Sequence, residues 1–179
     1  MILSFSTVER FAFFIAAIGG ILWLGGLVIR AAIGFDLFVP GTLVFKPDMP
    51  PLAQAQALRL FARTAFYTIS GYGALLLVGG YWWLSYKSLW RVRGGMFIGG
   101  MLVVLYIPIE LWQMYYDIEL IQLVQYVPYS DFPLEAAKQL LVKRITILSG
   151  AGPFLSMLGY LSAAFFLIVQ PMHQHKEKD

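Results

Sequence analysis

Uncharged apolar runs recur along this chain, and polar residues collect between them. The first, Phe11 to Ile29, reads FAFFIAAIGGILWLGGLVI and carries no charge over nineteen residues. At about 1.5 Å rise per residue it is close to the length that crosses a ~30 Å hydrocarbon core. Ala65 to Tyr86, Gly94 to Ile109 and Ile145 to Val169 are likewise free of Asp, Glu, Lys and Arg. The pattern predicts an all-α membrane four-helix bundle, one domain over residues 1–179, with spans at 11–33, 65–86, 94–116 and 145–169.

The punctuation fits that plan. Pro40–Gly41 ends an extended first helix, Pro128 ends an extended third, and Pro171 ends the fourth. Ser6 or Thr7 is placed to cap helix 1, with Glu9 in its first turn. Tyr81, Trp82, Trp83 and Tyr86 form an interfacial aromatic belt. Two stretches, 52–64 and 132–144, alternate apolar with polar residues. The first is expected to lie on the outer membrane surface or to extend helix 2 as a soluble rod; the second is amphipathic in the same way.

The two halves resemble each other. Val39–Pro40 matches Val127–Pro128, Pro51–Leu52 matches Pro133–Leu134, and Arg63 matches Arg144. Ser70 to Gly73 matches Ser149 to Gly152 as Ser-Gly-x-Gly. Two tandem two-helix repeats of equal membrane orientation follow, related by a pseudo-two-fold axis along the membrane normal.

Charge sets the orientation. The short segment Lys87 to Arg93 carries Lys87, Arg91 and Arg93 without an acid, which places it in the cytosol. An even number of spans then puts both termini there, in a cell (inner) membrane. With 13 % charged residues against about 25 % in an average soluble domain, the composition fits lipid as solvent. The net charge of +3 is spread over loops and does not point to nucleic acid. Cysteine is absent, which excludes disulfides and thiolate metal sites. The first residues, MILSFSTVER, lack a basic leader, so helix 1 is expected to remain as an anchor.

Chemistry is sparse. Arg30 and Glu110 fall at comparable depth in helices 1 and 3, and intramembrane charges usually face inward and pair. They are expected to form an ion pair or share a water network, the alternative being two residues snorkelling separately. Glu110, Gln113 and Asp117 stand at i, i+3 and i+7 on one helix face and could line an outward-facing cleft with Arg30. Small residues invite close helix approach: Gly20, Gly25, Gly26, Gly71, Gly73, Gly95, Gly99, Gly150 and Gly152. No metal site is expected beyond the tail, where Met172, His173 and His175 could bind copper or zinc weakly; these two histidines are the only ones and lie outside every span, which removes bis-histidine haem ligation in the bilayer. No phosphate loop, nucleophile elbow or metalloprotease motif occurs.

The run Gly20-Ile21-Leu22-Trp23-Leu24-Gly25-Gly26-Leu27 resembles the W-L-G-G first helix of CopD-type copper-resistance membrane proteins and related four-helix membrane proteins; the HemJ-type protoporphyrinogen oxidase carries a variant. The resemblance implies the two-helix repeat plan. Those families commonly place a histidine upstream of the tryptophan, where this chain has Phe14, Ile15, Ala16 and Ala17, so it implies architecture more than activity. Three functional readings follow. The first is a non-enzymatic protein without cofactor, an accessory or assembly subunit of a membrane complex or a self-associating bundle. Its partners are the lipid bilayer and other membrane subunits or a homo-oligomer. The second is a small transporter or channel component, and the third a copper- or haem-handling membrane protein.

Overall fold

The computed structural model describes residues 7–90 and 93–169. The chain is all-helical, and three of its helices are long and apolar enough to cross a membrane. These are α1 (Thr7–Leu37), α4 (Gly94–Val124) and α6 (Gly152–Val169). Between them lie α2 (Pro51–Ala74), α3 (Gly80–Ser85) and the short α5 (Leu134–Ile145). The architecture is that of a helical membrane protein.

The segment 52–64 does not leave the bundle to lie on a surface; it is the first half of α2. Pro51 opens that helix, its fixed φ suiting the first helical position, and Pro50 before it is extended at φ −56° and ψ 144°. A single π-helical stretch, Leu75–Gly79, joins α2 to α3 with helical dihedrals at both joints, so one rod runs from Pro51 to Ser85. The second half of this rod, Ala65 to Ser85, is uncharged, whereas its first half carries Gln54, Gln56, Arg59 and Arg63.

The third span continues well beyond residue 116, to Val124, as the long polar extension led one to expect. The last apolar helix begins later than the expected residue 145. Helix α5 closes at Ile145, a 3-10 turn covers Ile147–Gly150, and both Leu148 (φ 50°) and Gly150 (φ +91°) take left-handed backbone there. That reversal of φ ends one helix before α6 starts at Gly152.

Helix α1 packs along α2, α4 packs along α6, and α4 also meets α2 and α5. At the end holding α5, buried Leu37, Leu58, Phe61, Leu120, Val124 and Leu141 form the main apolar core. Here the amphipathic faces of α2 and α5 find their partners, because neither can bury its apolar stripe alone. The chain crosses from α1 to α2 through a tight turn at Gly41 (φ +77°); Val39 N–H donates to the Val44 carbonyl at 2.8 Å and Lys46 N–H to that of Leu37 at 3.0 Å.

Of the expected packing glycines, Gly71, Gly26, Gly99 and Gly152 do sit where a side chain has no room. A Cβ at Gly71 would stand 2.6 Å from both the Gly19 carbonyl oxygen and the Trp23 nitrogen, so α1 and α2 touch backbone to backbone. At Gly26 it would stand 3.0 Å from Thr68 Cγ2, at Gly99 2.9 Å from the Ala163 carbonyl, and at Gly152 it would run into Ile147. Gly95 is buried at the start of α4. Four expectations change: Gly25 and Gly73 meet nothing within 4 Å, Gly20 reaches only Leu75 Cδ1 at 3.9 Å, and Gly150 serves the left-handed turn. Gly19, Gly100 and Gly159 take their place, the last two covered by the rings of Trp83 and Tyr106. Gly71→Val is therefore expected to lower stability by roughly 1–3 kcal/mol, the usual range for overpacking. Gly25→Ala should leave it unchanged; thermal unfolding of the detergent-purified protein compares the two.

Candidate functional site

Polar residues inside the bundle gather in two layers, both mounted on one face of α4. The i, i+3, i+7 spacing of Glu110, Gln113 and Asp117 puts them in a row, as helix geometry requires. All three are buried, at 2 %, 1 % and 1 % exposure, so they line no open cleft.

The first layer centres on Asp117. Arg30 from α1 meets its carboxylate with both terminal nitrogens, Nη1 to Oδ2 at 2.6 Å and Nη2 to Oδ1. Arg144 from α5 donates Nε to Oδ1 at 2.6 Å. Arg30 Nη1 also donates to Thr68 Oγ1 on α2 at 3.2 Å. The guanidinium carbon of Arg30 lies 4.1 Å from the centroid of the Phe61 ring, and that of Arg144 lies 5.3 Å from it. Four helices thus converge on one carboxylate, through a bidentate fork, a second cation and an aromatic face.

The second layer centres on Glu110, one carboxylate held by two neutral donors. Trp23 Nε1–H from α1 donates to Oε2 at 3.2 Å, and Ser156 Oγ from α6 donates to Oε1. The Trp23 ring packs edge-on against Tyr160 with centroids 4.6 Å apart, and lies 6.1 Å from Tyr72. The hydroxyls of Tyr72 on α2 and Tyr160 on α6 are hydrogen-bonded to each other. Met114 packs against these rings. Helices α1, α2, α4 and α6 all contribute to this layer.

The expected Arg30–Glu110 ion pair is not made: Arg30 takes Asp117, two turns further along α4, and Glu110 takes Trp23 and Ser156. The reason is reach and composition. Asp117 stands beside a second cation and in bidentate register with Arg30, and a planar fork gains most from a carboxylate it can grip with two nitrogens. Arg144, read from sequence as the end of the second amphipathic stretch and the counterpart of Arg63, is 6 % exposed and belongs to the site. Trp23, Thr68, Tyr72, Ser156 and Tyr160 were also missed as members, since none carries a charge that makes an apolar helix conspicuous.

The one hydroxyl set against a carboxylate in these layers, Ser156 on Glu110, is sealed inside the bundle at 0 % and 2 % exposure, and among the described residues no three His, Cys, Asp or Glu side chains gather as a metal set. Met172, His173 and His175 lie outside the described residues, as does Arg91. Chemically, the arrangement neutralises charges within a medium that does not tolerate them alone, and it ties helices that lipid would let slide.

A buried charge stripped of its partner is worse than none. Asp117→Asn leaves Arg30 and Arg144 facing each other and is expected to cost about 3–5 kcal/mol of stability, whereas Lys138→Gln, at an exposed pair with Glu135, should change little. Trp23→Phe keeps the ring and removes one donor to Glu110, an expected loss of roughly 1–3 kcal/mol. Chemical unfolding of the purified variants orders the three. No family model, curated protein or solved structure matches the chain.

Proposed function

We propose that the chain is a non-enzymatic integral membrane protein of four spans that acts as an accessory or assembly subunit of a membrane complex, or assembles with itself. The observation that carries the reading is where polarity goes. The charged and hydrogen-bonding groups of the spans are turned on one another inside, and large apolar side chains such as Phe14, Ile21, Val28, Phe35, Leu105 and Phe165 face outward. Gly25 and Gly73 have no neighbour within 4 Å in this chain, which leaves close approach to another helix open at those positions.

The rod from Pro51 to Ser85 is the second of the four spans in this reading, and the two tandem repeats of the CopD-like plan are α1 with that rod and α4 with α6. Spacing supports the repeat. Arg30–Asp117 and Trp23–Glu110 join residues 87 apart, and Tyr72–Tyr160 joins residues 88 apart. In a two-fold arrangement, residues that touch their own counterparts lie on the axis. Phe66, Thr68, Gly71 and Tyr72 correspond at that spacing to Phe154, Ser156, Gly159 and Tyr160. This register replaces the one drawn through Ser70–Gly73 and Ser149–Gly152. The orientation has Lys87, Arg91 and Arg93 in the cytosol with both termini, and the α5 end outside.

A second reading, a small transporter or channel component, is favoured by one observation: Gln113 stands between Glu110 and Asp117 with both polar atoms of its amide unpartnered. Purification from the native membrane decides between the two. A stoichiometric partner or a defined homo-oligomer is the expected result; a solitary chain that conducts a flux in liposomes, abolished by Glu110→Ala, would replace the first reading with the second. Cysteines introduced at Asp48 or Asp131 should label from outside the cell, and labelling from the cytosolic side alone would reverse the topology.

A further inference from the structure

Gln113 is 1 % exposed, yet neither its Oε1 nor its Nε2 has a hydrogen-bond partner, and the Nε of Arg30, itself 2 % exposed, has none either. A buried amide without partners is among the least tolerated groups in a protein interior, and lipid offers no water from outside to relieve it. Its position is also specific. Gln113 sits one turn from Glu110 and one turn from Asp117 on the same face of α4, between the two polar layers. Met114, its neighbour in sequence, is packed against Trp23, Tyr72 and Tyr160.

We propose that Gln113 and Arg30 hold a small cluster of water molecules that joins the Glu110 layer to the Asp117 layer. The orphaned groups comprise the Arg30 Nε–H and the Gln113 NH2 as donors and the Gln113 carbonyl as acceptor. A molecule that both donates and accepts satisfies them; a purely donating or purely accepting one does not. Asp117 already accepts from Arg30 and Arg144, and Glu110 is already bonded to Trp23 and Ser156, so neither carboxylate is left without a partner to draw a cation. The three orphaned atoms, Arg30 Nε and Gln113 Nε2 and Oε1, supply between them the two to four polar partners that a retained internal water takes. The occupant links Trp23 and Ser156 at one end to Arg144 at the other through a continuous chain of hydrogen bonds, with Gln113 as the positioning residue.

The test uses the full chain in detergent or nanodiscs, compared by infrared difference spectroscopy in ordinary and oxygen-18 water. The wild type is expected to show an isotope-shifted O–H band from internal water, and Gln113→Met to lose it. The same substitution should lower the thermal midpoint, because it leaves the bridging water short of partners. Absence of an isotope-sensitive band in the wild type overturns the proposal. So does a Gln113→Met protein whose midpoint rises, since removing a dry, unpartnered amide is stabilising. If the Met variant fails to fold, Gln113→Asn, which retains the amide and shortens its reach, must shift the band; an unchanged band places the water elsewhere and refutes the assignment.

Discussion

The bundle depends on one carboxylate. Asp117 is 1 % exposed and is gripped by Arg30 and Arg144, so α1, α4 and α5 are fixed to a common point with α2 joined through Thr68. In lipid, apolar side chains gain little by leaving tails for one another, so the hydrophobic effect does not choose a unique arrangement of spans. An uncompensated charge does choose. Arg30 tolerates the interior only where Asp117 reaches it, and Asp117 only where cations surround it. The rotation and depth of α1 against α4 follow from that requirement, and the Gly71–Gly19 contact sets how near α2 can come to α1.

The second layer adds specificity of another kind. Glu110 holds Trp23 and Ser156, and the Tyr72–Tyr160 hydroxyl contact closes the ring between α2 and α6. These are directional bonds, two from neutral donors to a carboxylate and one between hydroxyls. They reject rotated helices that would pack equally well by volume. The two layers, with Gln113 between them, give the bundle a polar spine along its axis and leave apolar side chains to face outward.

Much of the fold could be read from the chain because charge-free length is a strong signal. The end of α1 before Pro40, the long polar continuation of α4 and the apolar runs at 94–116 and beyond residue 145 are visible as composition. The π-helical stretch at Leu75–Gly79 was not legible, because LLLVG carries no residue that distinguishes a widened turn from an ordinary one. The late start of α6 hinges on Leu148 and Gly150 taking left-handed backbone, and only the glycine hints at it. In the site, Arg30, Glu110, Gln113 and Asp117 stood out as polar residues in or beside apolar runs. Their pairing did not, because Arg144, which shares Asp117 with Arg30, comes from a segment whose docking no local pattern encodes. The spacing shared by Thr68-x-x-Gly71-Tyr72 and Ser156-x-x-Gly159-Tyr160 was the signal that could have found the second layer.

The central claim is that the Arg30–Asp117–Arg144 cluster is held by mutual neutralisation and acts as a unit. The direct measurement is the unfolding stability of Asp117→Leu alone beside that of the triple variant Arg30→Met, Asp117→Leu, Arg144→Met. The account predicts that the triple variant is the more stable of the two, because it removes both stranded cations along with their partner. A triple variant destabilised by the sum of its three single changes would contradict it, showing three independent side chains where the account places one cluster.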